Sequence, residues 1–165
     1  MGTYTELIFG CEFKKDLPFV IKQIIQYLID DCEFKSFFTL KEYICNINFG
    51  DEHPFFSIIN HPFFSTDRWE RIFLSSSYYF GVNEPVNKFW FDDISESWRI
   101  STRSNIKNYD DEIEHFLDWI KPYISSGSGL NDLYAIVTHE QGVPKLYYLD
   151  NSDVTNEENY DGLSM

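Results

Sequence analysis

Two different periods in the pattern of apolar and polar residues predict a strand and then a helix within residues 98–124. From 98 to 107, apolar or small side chains alternate with charged or polar ones, which is the period of a strand with two unlike faces. After 110, apolar residues recur at i, i+3, i+4 and i+7, the spacing of one stripe on a helix. The stripe consists of Ile113, Phe116, Leu117 and Ile120. We therefore expect a strand that leads into an amphipathic helix.

The same two periods predict the other elements of the chain. Alternation predicts strands at 3–13, 69–82, 88–94, 98–107, 131–138 and 145–149. Helical spacing predicts helices at 17–31 and 110–124, and a short helix that runs into extended chain at 34–47. Asp16 is expected to cap the first helix. Residues 51–66 show neither period, and we expect a long loop there.

This order of elements predicts a single α+β domain. We expect a mainly antiparallel sheet of five or six strands, with two or three helices packed on one face. The domain is expected to span residues 1–149, because the last apolar strand ends there. Residues 150–165 contain five acids and no basic residue, so we expect an acidic, frayed tail.

A tight turn is predicted between the strands at 88–94 and 98–107. If the loop consists of Ser95 and Glu96 alone, Asp92 lies opposite Arg99 on the polar face of the hairpin. The side chains of Asp92 and Arg99 would then form a cross-strand ion pair.

The charge of the chain narrows the range of partners. Its 165 residues include 27 acids and 13 lysines and arginines, which gives a net charge of −14. Such a polyanion is repelled by the phosphates of nucleic acid and by anionic membranes. We therefore expect no direct contact with nucleic acid or membrane, and we predict that the protein binds basic protein surfaces. The acidity can also serve only to keep an aromatic-rich chain in solution.

Composition and cysteine usage predict a folded protein of a reducing compartment. Apolar residues make up 43% of the chain and aromatic residues 19%, which argues against disorder and for a β-rich core. The three cysteines form no CxxC pair, and an odd number favours free thiols in the cytoplasm. No apolar run is long enough to span a bilayer. We expect a monomer or a homodimer.

The motif HPFF occurs twice in the predicted loop, at 53–56 and at 61–64. Each proline disfavours a helical conformation of the histidine before it. The motifs supply four phenylalanines, Phe55, Phe56, Phe63 and Phe64. These side chains either pin the loop onto the core, as most phenylalanines do, or form an exposed aromatic lip that binds a partner.

Several strings along the chain are distinctive, namely YTELIFG at 4–10, SYYFG at 77–81, ISTRSNIKNY at 100–109, FLDWI at 116–120, PYI at 122–124, GSG at 127–129 and YAIV at 134–137. Together they resemble a set of short phage- and prophage-borne proteins of unknown function. The resemblance implies an accessory protein of a phage or mobile element that acts in a bacterial cytoplasm. It carries no known chemistry and implies no active site. It does not extend over residues 34–66, which would make the HPFF segment a variable insertion.

Motifs that would indicate an enzyme are missing from the sequence. There is no Walker loop, GxGxxG, GxSxG or HExxH motif. Residues 51–53 and His61 offer carboxylate and imidazole groups, but no predicted rigid element brings them together, so we expect no metal and no cofactor. His115 lies among acids on the predicted helix, where it is either a proton carrier or an ordinary surface residue.

One basic stripe is present in this acidic chain. Arg99, Arg103 and Lys107 share one face of the strand predicted at 98–107. The three side chains either hold a phosphate or carboxylate ligand, or they neutralise Asp92 and other nearby acids, including those of the helix at 110–124.

Two functional hypotheses follow. The favoured one is a non-catalytic acidic protein that inhibits a bacterial host protein, a defence nuclease or a toxin, by occupying its basic surface. The residues expected to bind this partner are Asp110, Asp111, Glu112, Glu114, Asp118, Phe55, Phe56, Phe63 and Phe64. The alternative is a small enzyme or a nucleotide- or phosphate-binding domain. Its residues would be Arg99, Arg103, Lys107 and His115.

Overall fold

Five strands and three helices make up the part of the chain that the structure describes. The computed structural model describes residues 3–30, 55–74, 87–126 and 132–149. The strands are β1 (Thr5–Glu12), β2 (Lys88–Asp92), β3 (Ser97–Ile106), β4 (Leu133–His139) and β5 (Lys145–Tyr148). The helices are α1 (Phe19–Ile29), α2 (Phe55–Ile59) and α3 (Glu112–Ile120). Short 3-10 helices lie at Pro62–Ser65, Trp69–Arg71 and Lys121–Tyr123.

The strands form one antiparallel sheet in the order β2-β3-β1-β4-β5. β1 lies at its centre, where Leu7 is opposite Ser104 of β3 and Val137 of β4. Helices that pack beside a wholly antiparallel sheet define the α+β class. The predicted fold class is therefore confirmed.

Alternate residues of the sheet point into the core, as the period-two pattern predicts. Leu7 and Phe9 of β1 are buried, and so are Ile100 of β3 and Val137 of β4. α3 covers this face, since the ring of Phe116 lies 5.1 Å from the ring of Phe9 in an edge-to-face arrangement. The predicted apolar stripe of α3 is buried at every position, at Ile113, Phe116, Leu117 and Ile120.

α1 begins later than the sequence predicts. Its N-cap is Pro18, whose extended ψ of 140° ends the non-helical chain, so the predicted cap at Asp16 is wrong. Proline is tolerated there because the first turn of a helix needs no N–H donor from it. Apolar residues with helical spacing are nevertheless buried in this segment, at Leu17, Ile21, Ile24, Ile25 and Leu28.

A 3-10 helix, Trp69–Arg71, begins the segment predicted as a strand at 69–82, so that prediction is wrong for its described part. Trp69, Ile72 and Phe73 are all buried, and they follow the spacing i, i+3, i+4. This is a helical period, and it brings the three side chains to one side of a turn. The prediction from the sequence gave more weight to the alternation of neighbouring residues, which indicates a strand, than to this helical spacing.

The predicted loop at 51–66 is also wrong for its described part, which contains α2 and the 3-10 helix Pro62–Ser65. His61 caps the 3-10 helix, because its Nδ1 accepts a hydrogen bond from the backbone N–H of Phe63 at 3.1 Å. A capping acceptor followed by proline begins a helical turn rather than a loop.

The turn between β2 and β3 has four residues, 93–96, so the predicted two-residue turn is wrong. Asp92 lies opposite Ser97. Its side chain accepts hydrogen bonds from the backbone N–H of Ile94 at 3.0 Å and from Ser95 Oγ at 3.1 Å. An aspartate side chain that accepts hydrogen bonds from residues two and three positions further along the chain stabilises a turn. This turn is longer than the spacing of residues in the sequence suggests.

Several predictions concern residues outside the described ranges. They are the short helix and extended piece at 34–47, the metal-ligand candidates at 51–53, the rest of the strand predicted at 69–82 and the acidic tail at 150–165. Within the described ranges, no helix has the length and the apolar character that crossing a bilayer requires.

Candidate functional site

The sequence predicts five partner-binding acids around α3, and the structure places four of them where a partner can reach. Asp110, Asp111 and Asp118 are exposed, and Glu114 is partly buried. Glu112 is fully buried, so its predicted place on the partner surface is wrong. It folds back at the start of the helix, where its Oε2 accepts a hydrogen bond from the backbone N–H of Asp110 at 3.1 Å. We call the four other residues, Asp110, Asp111, Glu114 and Asp118, the acidic ridge.

Hydrogen bonds hold part of the acidic ridge in place. Glu114 Oε2 accepts from Asn108 Nδ2 at 2.7 Å, and Asp110 Oδ2 accepts from the backbone N–H of Asp67 at 3.4 Å. Asn108 Oδ1 in turn accepts from the backbone N–H of Ile113 at 2.9 Å. These bonds fix the first turn of α3, and each carboxylate keeps lone pairs for further donors.

Asp118, at the other end of the acidic ridge, borders a shallow cleft of about 450 Å³. His61, Trp119, Pro122 and Tyr123 also line this cleft, which we call the Asp118 cleft. Asp118 Oδ2 lies 3.0 Å from His61 Nε2, and 77% of the Asp118 side chain is exposed. Burial raises the pKa of the Tyr123 phenol, so this group stays neutral at physiological pH. The cleft thus combines an accessible carboxylate with aromatic walls.

Two of the four HPFF phenylalanines belong to the core. Phe63 is fully buried and Phe64 nearly so, and their ring centroids lie 5.6 Å and 5.1 Å from that of Trp119. The partner-binding role predicted for Phe63 and Phe64 is therefore wrong, because a partner cannot reach these rings. Phe55 and Phe56 begin α2, and their side chains lie outside the described part of the structure.

Most of the predicted basic stripe is neutralised within the sheet. Arg99 Nη2 donates to Glu12 Oε2 at 3.3 Å, and Arg103 Nε donates to Glu6 Oε1 at 3.1 Å. These carboxylates lie on the same face of the sheet as the two arginines, because the paired strands keep both in register. Arg99 and Arg103 therefore neutralise nearby acids, and these two side chains do not form the anion site that was the alternative.

The ion pair predicted between Asp92 and Arg99 does form, although the two residues are not opposite each other. Arg99 Nε lies 3.1 Å from Asp92 Oδ2. The true register differs from the predicted one by two residues, and a shift of two leaves every side chain on its face. The hydrogen bond from the Ile94 backbone N–H lowers the pKa of Asp92, and Ser95 and Arg99 lower it further.

His115 does not meet the two arginines of β3. Thr102 of β3 lies opposite Phe9, whose ring contacts Phe116 of α3, so α3 covers the face that carries the even-numbered residues of β3. The arginines occupy odd-numbered positions and point to the other face. The alternative site that would combine His115 with the two arginines is therefore not assembled.

Lys107, the last member of the basic stripe, lines a second cleft of about 380 Å³ near the end of β3. Tyr4, Arg68, Arg71 and Asn105 line it too, with apolar atoms from neighbouring side chains. We call these five residues the basic cleft. No acidic residue is among its lining residues in the part of the chain that the structure describes.

Aromatic rings hold two of the cations in the basic cleft. Arg68 Cζ lies 5.2 Å from the ring centroid of Tyr109, and Lys107 Nζ lies 5.6 Å from that of Tyr4. Asn105 is only 3% exposed, and neither its Nδ2 nor its Oδ1 has a hydrogen-bond partner. A buried amide without partners is unusual, because buried polar groups are normally satisfied.

Sequence reasoning missed Arg68 and Arg71 as functional candidates. A strand that begins at residue 69 places Arg68 and Arg71 in different elements, so the sequence pattern does not indicate that they share a site. Their spacing of three residues is a usable signal, because residues three apart lie on the same side of a helical turn. The helical spacing of Trp69 and Ile72 in the same turn gives a second indication.

Other chemistry in the described ranges is limited. Burial raises the pKa of the Cys11 thiol, and the neighbouring charge of Glu12 raises it further. This thiol is therefore protonated at neutral pH and is a poor nucleophile. Within those ranges, no three His, Cys, Asp or Glu side chains lie close enough together to hold a metal ion.

Comparison with known proteins gives no match for this chain. No family model, no curated protein and no solved structure matches it. The resemblance to phage- and prophage-borne proteins stays a prediction, and function has to be inferred from the acidic ridge and the two clefts.

Proposed function

We propose that this protein is a non-catalytic binding protein of a phage or mobile element, which captures a basic surface of a bacterial host protein. The observation that carries the proposal is the acidic ridge with the Asp118 cleft at its end. Asp111, which immediately precedes α3, and Asp118, which lies within α3, are both exposed. Glu114 and Asp118 lie four residues apart on α3, which places both carboxylates on one side of the helix. We expect these carboxylates to occupy the positions on the partner at which it binds the phosphates of nucleic acid.

The Asp118 cleft fits the side chain of an arginine or lysine from the partner. Asp118 supplies a carboxylate, and a charge-assisted hydrogen bond to it is stronger than a neutral one. Trp119 and Tyr123 supply aromatic walls, and a guanidinium against such rings gains a cation–π contact. His61 occupies one oxygen of Asp118, and the carboxylate keeps further lone pairs for the incoming donor.

The expected partner is a host protein that itself binds nucleic acid, such as a defence nuclease or a toxin. Surfaces that bind phosphates are basic, and the net charge of −14 speeds the encounter with them. Occupation of that surface excludes nucleic acid and inhibits the partner. The resemblance to phage-borne proteins supports action in the bacterial cytoplasm. We expect the protein to act as a monomer or a homodimer.

A capture experiment with two charge-matched double variants tests this proposal. Asp111→Asn with Asp118→Asn removes two charges from the acidic ridge. Asp16→Asn with Asp93→Asn removes two exposed charges elsewhere. The immobilised protein captures its partner from a bacterial lysate, and the purified partner is then titrated against each protein in low and high salt.

The ridge variant is expected to weaken the affinity for the partner by about tenfold or more, because charges that meet opposite charges in an interface contribute most. The control variant is expected to change the affinity by about twofold or less, through long-range attraction alone. High salt should weaken capture by the unmodified protein. Equal losses in both variants, or capture that does not depend on salt, would contradict the proposal.

A further inference from the structure

We infer that the basic cleft binds a small ligand that carries a diphosphate group, such as a nucleoside diphosphate. The proposed function does not require this site, because the basic cleft shares no residue with the acidic ridge. Its residues come from the chain before β1, from the turn that follows the second HPFF motif and from the end of β3. The fold brings these three distant regions together around one cleft of about 380 Å³.

Within the described ranges, the cations of the basic cleft form no ion pair with a carboxylate of the protein. Both arginines of β3, by contrast, meet a carboxylate. Asp110 accepts from the backbone of Asp67, next to Arg68, but it does not line the cleft. Like charges around one cleft repel each other. A multiply charged anion bound between them attracts all three cations and offsets this repulsion.

The contacts that hold these cations leave their hydrogen-bond donors available. Arg68 lies over the ring of Tyr109, and Lys107 lies 5.6 Å from the ring of Tyr4 and 6.0 Å from that of Tyr109. A cation–π contact positions the charge through the face of the ring and uses none of the N–H groups. Guanidinium and ammonium groups oriented in this way match the oxygens of a phosphate.

Asn105 gives an independent indication of a ligand. Its amide is buried at the edge of the basic cleft, with a donor and an acceptor that no group of the described residues satisfies. A small rotation of this side chain presents Nδ2 to a phosphate oxygen and Oδ1 to a hydroxyl group. Occupation of the cleft by such a ligand thus satisfies both atoms.

Three properties favour a small diphosphate over other anions. The cleft has the volume of a small-molecule site rather than of an extended groove. The net charge of −14 repels a long nucleic acid, whose many phosphates would meet acids beyond the cleft. Three cations match the two to three negative charges of a diphosphate better than the single charge of a carboxylate.

Isothermal titration calorimetry at low ionic strength tests this inference with ADP and with inorganic pyrophosphate as probes. Arg68→Ala with Arg71→Ala removes two charges from the basic cleft, and Lys14→Ala with Lys15→Ala removes two exposed charges elsewhere. Arg71→Gln is a milder second variant, because Arg71 is exposed and its loss leaves the core intact. Melting temperatures without ligand show that each variant is folded.

The unmodified protein is expected to bind at least one probe, and the arginine double variant to bind it about tenfold or more weakly. Arg71→Gln should weaken binding several-fold and the lysine variant about twofold or less. If ADP binds more tightly than pyrophosphate, the nucleoside also contacts the protein. If the two bind equally, the diphosphate group alone accounts for the binding. Failure of both probes to bind, or equal losses in the two double variants, would overturn the inference. The arginine variant should still capture the host partner, so the two proposals can fail separately.

Discussion

Glu112, Phe63 and Asn105 show that the surroundings of a side chain decide its role more than its chemical type does. Glu112 is an acid, yet its side chain is buried and accepts a hydrogen bond from the backbone N–H of Asp110. Phe63 belongs to an HPFF motif, and one interpretation of these motifs is an exposed lip that binds a partner. Its ring nevertheless lies at the centre of an aromatic cluster. Asn105 is polar and buried, its amide has no hydrogen-bond partner among the described residues, and this observation supports the ligand site that we propose.

Phe63→Ala is expected to lower the free energy of unfolding by about 3–5 kcal/mol, because it removes a fully buried ring and leaves a cavity. Phe91→Ala is the matched control, since that ring is 46% exposed, and it should cost about 1 kcal/mol or less. Urea unfolding followed by tryptophan fluorescence measures both values. Similar losses in the two variants would show that Phe63 is not a core residue.

Asp92→Asn is expected to lower stability at neutral pH, with a deficit that disappears in acid. Because the hydrogen bond from Ile94 lowers the pKa of Asp92 below its ordinary 3.8, the folded state favours the carboxylate. Its stabilising effect is present above 3.8 and is lost as the pH falls through the lower folded-state pKa. Unfolding midpoints of both proteins from pH 7 to pH 3 should therefore converge towards the acid end. A deficit that stays constant over this range would rule out the charge of Asp92 as its cause.

At the scale of elements, α3 depends on groups that come before its first residue. Asn108 accepts from the backbone N–H of Ile113 and donates to Glu114, so one side chain satisfies an unpaired helix donor and orients a carboxylate. Asp111 adopts a left-handed conformation with φ of 55° before the helix begins. The acidic ridge therefore owes its geometry to the connection between β3 and α3.

Asn108→Ala is expected to lower the free energy of unfolding by about 1–2 kcal/mol, which is typical for the loss of a helix-capping side chain. Exposed Asn60 provides the control, and Asn60→Ala should change stability by about 0.5 kcal/mol or less. Thermal unfolding followed by circular dichroism compares the two variants. An unchanged midpoint for Asn108→Ala would show that α3 does not depend on this cap.

At the scale of the whole molecule, the acidic surplus is not concentrated on α3. The described ranges contain 16 of the 27 acids and 11 of the 13 lysines and arginines, a net charge of −5. The other −9 belongs to residues outside those ranges. Local placement on the acidic ridge and in the basic cleft is therefore a better guide to binding than the total charge.

Added sodium chloride is expected to raise the melting temperature of this protein. A net charge of −14 makes the folded chain repel itself, and salt at about 0.15 M screens charges more than about 8 Å apart. Differential scanning calorimetry at low and moderate salt measures the effect. The Asp16→Asn with Asp93→Asn variant carries less charge and should show a smaller rise. A fall with salt would show that ion pairs such as Arg99 with Glu12 outweigh the repulsion.

The sequence by itself determined the features that depend on periodicity. Alternation along β3 and the stripe of α3 predicted which side chains face the core, because strand and helix geometry repeat at fixed intervals. The predicted ion pair of Asp92 with Arg99 forms even though the predicted register of β2 and β3 is wrong. The reason is the same, since a shift of two residues keeps each side chain on its face of the sheet. The α+β class followed from the order of these elements.

Only the tertiary structure decided which distant residues meet. It placed β1 between β3 and β4, and it buried Phe63 against Trp119 of α3. It also brought Arg68 and Lys107 around the basic cleft. These contacts join segments far apart in the chain, and they depend on how whole faces pack together. A local pattern records which side of an element is apolar, but it does not record which other element covers that side.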